Sequence, residues 1–182
     1  MALDDDLTRI AEAALAHAQP GETVSAVIPT EPETGVRVYL CAFDGPEASW
    51  LALDAGGQAV RSRTLVRDAV SIAAMCEVAE ESAGGGDLET LREELANLRR
   101  AENPSGIDEA EAALDALARV LGEPPRIASP AYLDELGAAT RELEHALGSS
   151  LGSPFADAMR TAMGAVEELK LAVEGGYKLP FD

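Results

Sequence analysis

Residues able to do chemistry are few in this chain. Its 182 residues include two histidines, His17 and His145, and two cysteines, Cys41 and Cys76. Glu142 and His145 stand three apart, the spacing by which di-iron helical bundles aim a carboxylate and an imidazole at one metal. Such a centre needs that pair twice, with two further carboxylates, and His17 has no glutamate three positions before it. Glu142 and His145 therefore read as a solvated helix face, and no metal and no cofactor is expected. Both cysteines lie in apolar segments, away from the helix N-termini and basic clusters that activate thiols. They read as buried structural thiols, not as a disulfide or a nucleophile. Gly84–Gly86 is followed by no Lys-Ser/Thr and preceded by a helical pattern, so it is a linker and not a phosphate loop. Asp54–Gln58 has the composition of a calcium loop without its acidic positions or closing glutamate. No catalytic residue emerges, and the reading leans away from an enzyme.

Two groups point to binding. Arg61, Arg63 and Arg67 form a dense basic cluster at the start of a helix, where backbone N–H groups favour anions. They offer a phosphate or carboxylate site, set against pairing with the chain's own many acids. Tyr39, Phe43 and Trp50 form the candidate recognition surface, because Tyr and Trp are enriched in interface cores. The ending Tyr177-Lys178-Leu179-Pro180-Phe181-Asp182 adds Leu179 and Phe181 to that interaction set. Spaced apolar side chains on an extended terminus are costly to leave in water, so the tail is expected to dock on its own chain or on a dimer mate.

The elements that must position these residues follow from periodicity. Leu65, Ala69, Ile72, Cys76 and Ala79 recur at alternating spacings of four and three, predicting a central helix over Thr64–Ala83 with Thr64 as its N-cap. Around Ile72–Cys76 that helix is apolar on all sides, so it should be covered all round at its middle. Leu7, Ile10, Ala14, Leu15 and Ala18 predict an opening helix over Asp4–Ala18. Strands follow at Thr23–Ile28, Val36–Phe43 and Ser49–Leu53, with a short edge strand at Gln58–Arg61 and a polar loop from Pro29 to Gly35. The connections are too short for parallel crossovers, so the sheet is an antiparallel meander. A turn at Asp44–Glu47 would set Cys41 opposite Trp50, placing Tyr39, Cys41, Phe43 and Trp50 on one face and Leu40, Leu51 and Leu53 on the other.

Four helices then complete the chain. Leu88, Leu91, Leu95 and Leu98 mark the first, capped by Asp87. Ile107, Ala110, Leu114, Leu117 and Leu121 mark the second, with Ser105 and Asp108 as a capping box. Leu133, Leu136, Thr140, Leu143 and Leu147 mark the third, and Phe155, Met159, Ala162, Val166, Leu169 and Val173 the fourth. The fold class is α+β: an N-terminal helix, a meander of three to four antiparallel strands, a central helix, then a bundle of four helices. Residues 1–83 form the α+β lobe, 87–176 the helical lobe and 177–182 the tail.

The net charge is -19, from 14 Lys and Arg against 33 Asp and Glu. A surface this acidic repels nucleic acid phosphates and anionic membranes, so neither is an expected partner. No apolar run approaches the roughly 18 residues of a membrane span. The acidic start lacks the pattern of a signal peptide, and the cytoplasm is the expected compartment. Over residues 5–83 the order helix, meander, helix in an acidic chain resembles the architecture of secretion chaperones. The absence of convergent His, Cys and Ser chemistry, the acidity and the apolar tail point to a non-enzymatic protein-interaction or adaptor module, a homodimer open to a protein partner, and the resemblance implies a chaperone-like role for it. The alternative is an anionic-ligand binder or enzyme with a pocket between sheet and bundle.

Overall fold

The computed structural model describes residues 2–84, 86–148, 164 and 176–181. They fall into two compact units, one of residues 2–74, 126–130 and 176–181, the other of 75–84, 86–125, 131–148 and 164. The element order is α1 (Ala2–Leu15), β1 (Thr23–Glu33), β2 (Val36–Asp44), β3 (Ser49–Asp54), α2 (Arg63–Gly84), α3 (Asp87–Ala101), α4 (Ile107–Gly122) and α5 (Pro130–Leu147). The fold is therefore α+β, with one N-terminal helix, three antiparallel strands in the order β1-β2-β3, then helices. Gln58–Arg61 does not form a fourth strand. Ala59 makes one bridge to Leu53, and the Val60 N–H donates to the Ala52 carbonyl at 2.8 Å. The predicted fourth bundle helix, Phe155 to Val173, lies outside the described residues.

β2 is the central strand and is covered on both faces, as its doubly apolar pattern predicts. Ile10 and Ala14 of α1 pack on Tyr39, Cys41, Phe43, Leu51 and Leu53. Val66, Ala69 and Val70 of α2 pack on the opposite face, with Val38, Leu40 and Ala52. No described side chain from Ser71 to Cys76 is exposed, in keeping with the apolar girdle read from the sequence. Leu15, expected in the buried stripe of α1, is instead exposed, while Ala14 before it and Ala18 after it pack into the α1-side cluster.

The segment read as a polar loop, Pro29–Gly35, is the second half of β1 up to Glu33. Prolines are tolerated there because β1 is an edge strand. Register shifts between Val24 and Ala26, and between Thr30 and Glu33, each insert one extra residue into β1. The first turns Val24 to the α1 face, away from Ala26 and Ile28. Beyond Ile28 the outer edge of β1 is partly closed, since the Glu31 N–H donates to the Ala128 carbonyl at 2.8 Å and Ala128 returns a bond to Pro29 at 3.3 Å.

The helical unit has its own core. Leu91 and Leu95 of α3, Ile107, Ala110, Leu114, Leu117 and Leu121 of α4, and Leu136, Leu143 and Leu147 of α5 form one buried cluster. The α5 stripe is rotated from its predicted line: Tyr132 and Ala139 are buried, while Leu133 and Thr140 are only half-buried. Thr140 spends its hydroxyl on the Leu136 carbonyl at 2.8 Å. Neither predicted cap forms, because the N-cap residues of α3 and α4 are Gly86 and Gly106, both with positive φ and without a side-chain cap bond. Ser62, not Thr64, caps α2, its hydroxyl accepting the Leu65 N–H at 3.3 Å. No helix among the described residues is long and apolar enough to cross a membrane.

Candidate functional site: a groove along strand β3

The register of the β2–β3 hairpin decides what the aromatic residues do. Phe43 pairs with Ser49, Ala42 with Trp50, Cys41 with Leu51 and Tyr39 with Leu53. The expected pairing of Cys41 with Trp50 is off by one residue, because the connection is one residue longer than a turn at Asp44–Glu47. A slip of one flips every side chain of β3. Leu51 and Leu53 join Tyr39, Cys41 and Phe43 beneath α1, and Trp50 goes to the α2 face with Leu40 and Ala52. Tyr39 and Phe43 are thus buried by the chain itself and offer no open recognition surface. Cys41 is buried with them, and burial pushes its thiol up to about 12. In a Cys76→Ala background, a disulfide reagent at mildly alkaline pH should label Cys41 only after denaturant is added. Prompt labelling of the native protein would contradict this packing.

Trp50 is not left open. The outer edge of β3, bonded at Ala52 to Asp54 by residues 58–60, receives the segment 176–181 at Trp50. Trp50 and Tyr177 form a parallel bridge, and the Lys178 N–H donates to the Trp50 carbonyl at 3.1 Å. Side chains of this segment then reach both faces of the sheet. The Tyr177 ring meets the Trp50 indole edge-on at 5.0 Å between centroids, and Phe181 stacks on Tyr177 at 4.4 Å. Such pairs contribute about 0.5–1.5 kcal/mol each beyond the area they bury. The Tyr177 hydroxyl donates to the Val60 carbonyl. Leu179 packs into the α1-side cluster and Phe181 into the α2-side cluster.

Lys178 enters a prepared socket. Its ammonium pairs with Glu22 and lies 4.3 Å from the Phe43 ring centroid. The side chains of Lys178 and Glu22 are only 7% and 5% exposed. Glu22 is held in place before the lysine is counted. It accepts the Gln19 N–H at 2.6 Å and the Ser49 hydroxyl at 2.9 Å. The Gln19 backbone bond, then Lys178, lowers its carboxyl from 4.5 to about 2. Two glycines make the space. A Cβ on Gly45 would stand 2.7 Å from Glu22 Cγ, and one on Gly176 would stand 3.0 Å from Trp50 Cδ1.

A depressed carboxyl stabilises the folded state fully above its unfolded value, and that contribution is lost as pH falls through the folded one. The Glu22 contribution is therefore present above 4.5 and lost between 4.5 and about 2. Emission from Trp50, the single tryptophan, should report tail release across that window. A Glu22→Gln chain that shows the same acid transition would refute the assignment to Glu22.

No protein-family model, curated protein or solved structure matches this chain. The order α1–β1–β2–β3–α2 agrees with the element order behind the chaperone resemblance, which rests on that order alone.

The remaining sequence candidates are dispersed or used internally. Arg61 and Arg63 are exposed, Arg67 is half-buried, and the Arg63 guanidinium lies 5.4 Å from the Phe181 ring centroid, at the far end of the tail. Glu142 and His145 are exposed on α5, and no cluster of three or more metal-ligating residues occurs among the described residues. Asp54 takes the N–H groups of Gly56 and Gln58 at 2.8 and 2.9 Å, closing an Asx-type turn. In the helical unit, Tyr132 borders a recess of about 390 Å³ lined also by Arg119, Glu123 and Glu135, with charge of both signs. Sequence reasoning missed Glu22, Ser49 and Gly45. The one signal available was the scarcity of lysine, which occurs only at Lys170 and Lys178.

Proposed function

We propose that the sheet unit is a non-enzymatic protein-interaction module of adaptor type, and that its recognition element is the groove along β3. The observation that carries this reading is the way the tail is held. Tyr177 and Lys178 bond to the outer edge of β3 at Trp50, the segment then bends so that Phe181 stacks on Tyr177, and its side chains are received on both faces of the sheet, as those of a bound peptide would be. Main-chain bonding to Trp50 is indifferent to sequence, whereas the Glu22 socket, the Val60 carbonyl and the Trp50 indole select lysine after tyrosine. A chaperone-like role is compatible with this reading, since holding a short segment of another chain needs no catalytic group.

The test uses the full chain carrying Lys178→Glu, whose own tail is repelled by Glu22. A fluorescent synthetic peptide of residues 176–182 should bind it saturably, with a change in Trp50 emission. A peptide with alanine in place of its lysine should bind at least tenfold more weakly. Absence of saturable binding by the unmodified peptide would end this reading.

A further inference from the structure

We propose that, when its own tail is displaced, the β3 groove takes the tail of a second copy of this chain, so that two copies then associate by exchanging residues 176–181. This rests on the reading of the groove as a peptide site and adds the identity of the partner. The groove recognises Tyr177, Lys178, Leu179 and Phe181 by contacts that belong to the segment alone: the Trp50 bridge, the Val60 carbonyl, the Glu22 pair and the Phe43 ring. A second copy presents the same segment and makes the same contacts, so exchange sacrifices no interaction within the groove. Terminal segments docked this way are a low-cost route to dimers.

The electrostatics of the groove select a cationic segment, and the chain's own tail supplies one. The chain carries net charge -19, yet the groove accepts one lysine into a pocket closed by an aromatic ring and a hydrogen-bonded carboxylate. Between two such acidic surfaces, each exchanged tail brings its matching cation to a site already shaped for it. A tethered tail has an effective concentration on the order of millimolar, so the groove is filled in cis at ordinary protein concentrations. Exchange is expected to emerge once cis docking is blocked.

Charge reversal blocks it selectively. Full-length chains carrying Glu22→Lys alone, or Lys178→Glu alone, have mismatched groove and tail both in cis and between identical copies. Mixed together, each groove meets a tail of opposite charge from the other variant. Light scattering should give the 19.0 kDa monomer for each variant alone and twice that mass for the equimolar mixture. The chain carrying both reversals pairs in cis. It should be monomeric and melt above either variant alone, because the ion pair is restored. A mixture that stays monomeric, while the 176–182 peptide still binds the Lys178→Glu chain, overturns the exchange and leaves the peptide site standing. Failure of that peptide to bind removes the site itself. A dimer formed equally by either variant alone would place the contact elsewhere and overturn the exchange.

Discussion

Truncating Tyr39 to alanine is expected to destabilise the sheet unit by about 3–5 kcal/mol, the cost of emptying a buried aromatic site. Tyr39 sits on the central strand, is 1% exposed and shares its cluster with Ile10, Ala14, Leu51 and Leu53. The helix and the strand partners that line the site are fixed by hydrogen bonding and cannot collapse far into the space. In a chain of this length the loss corresponds to a fall in melting temperature on the order of 10 °C. Circular dichroism melting measures it directly. A shift below about 1 °C would mean that α1 does not cover this face, and the assignment of Tyr39 and Phe43 to a closed core would fall.

Leu117→Ala should produce a loss of about 2–5 kcal/mol, in the other unit. Leu117 is fully buried on α4, within the cluster that joins α4 to Leu91 and Leu95 of α3 and to Leu136 and Leu143 of α5. Arg99 links α3 to Glu111 at 2.7 Å and Arg92 links it to Asp115 at 2.9 Å, but these pairs are well exposed. Exposed pairs contribute only about 0.2–1 kcal/mol each and do not replace the lost packing. Because the two units have separate clusters, hydrogen exchange should quicken in α3–α5 more than in β1–β3. Equal acceleration in both would show that the cores do not behave as separate units.

The fold class was legible because its signals are local and repeated. Ile107, Ala110, Leu114, Leu117 and Leu121 recur along α4 with helical spacing, and every one is buried. The doubly apolar end of β2 announced that both sheet faces are covered. What the periodicity did not carry was the count of residues between β2 and β3. That connection contains Gly45 and Pro46, which fit turns of several lengths, and one residue decides the side on which Trp50 lies. The same limit hid the bulge at Ser25 and the passage of β1 through Pro29. The site was half legible. The apolar tail stood out, and its docking on its own chain or on a dimer mate was expected. Glu22 did not stand out among 33 acidic residues, because its role depends on Gln19 and Ser49 meeting it in space.

The burial of Lys178 has a consequence for anyone labelling this protein. With side-chain amines only at Lys170 and Lys178, an amine-acylating reagent has few targets besides the chain's own N-terminus. At Lys178 the reagent meets an ammonium that is 7% exposed and already paired. Acylation there must wait for the segment to leave β3, so its rate measures how often the groove opens, as amide exchange measures local opening of a backbone. The acyl group would also remove the charge on which return depends, making each modified molecule a trapped record of one departure.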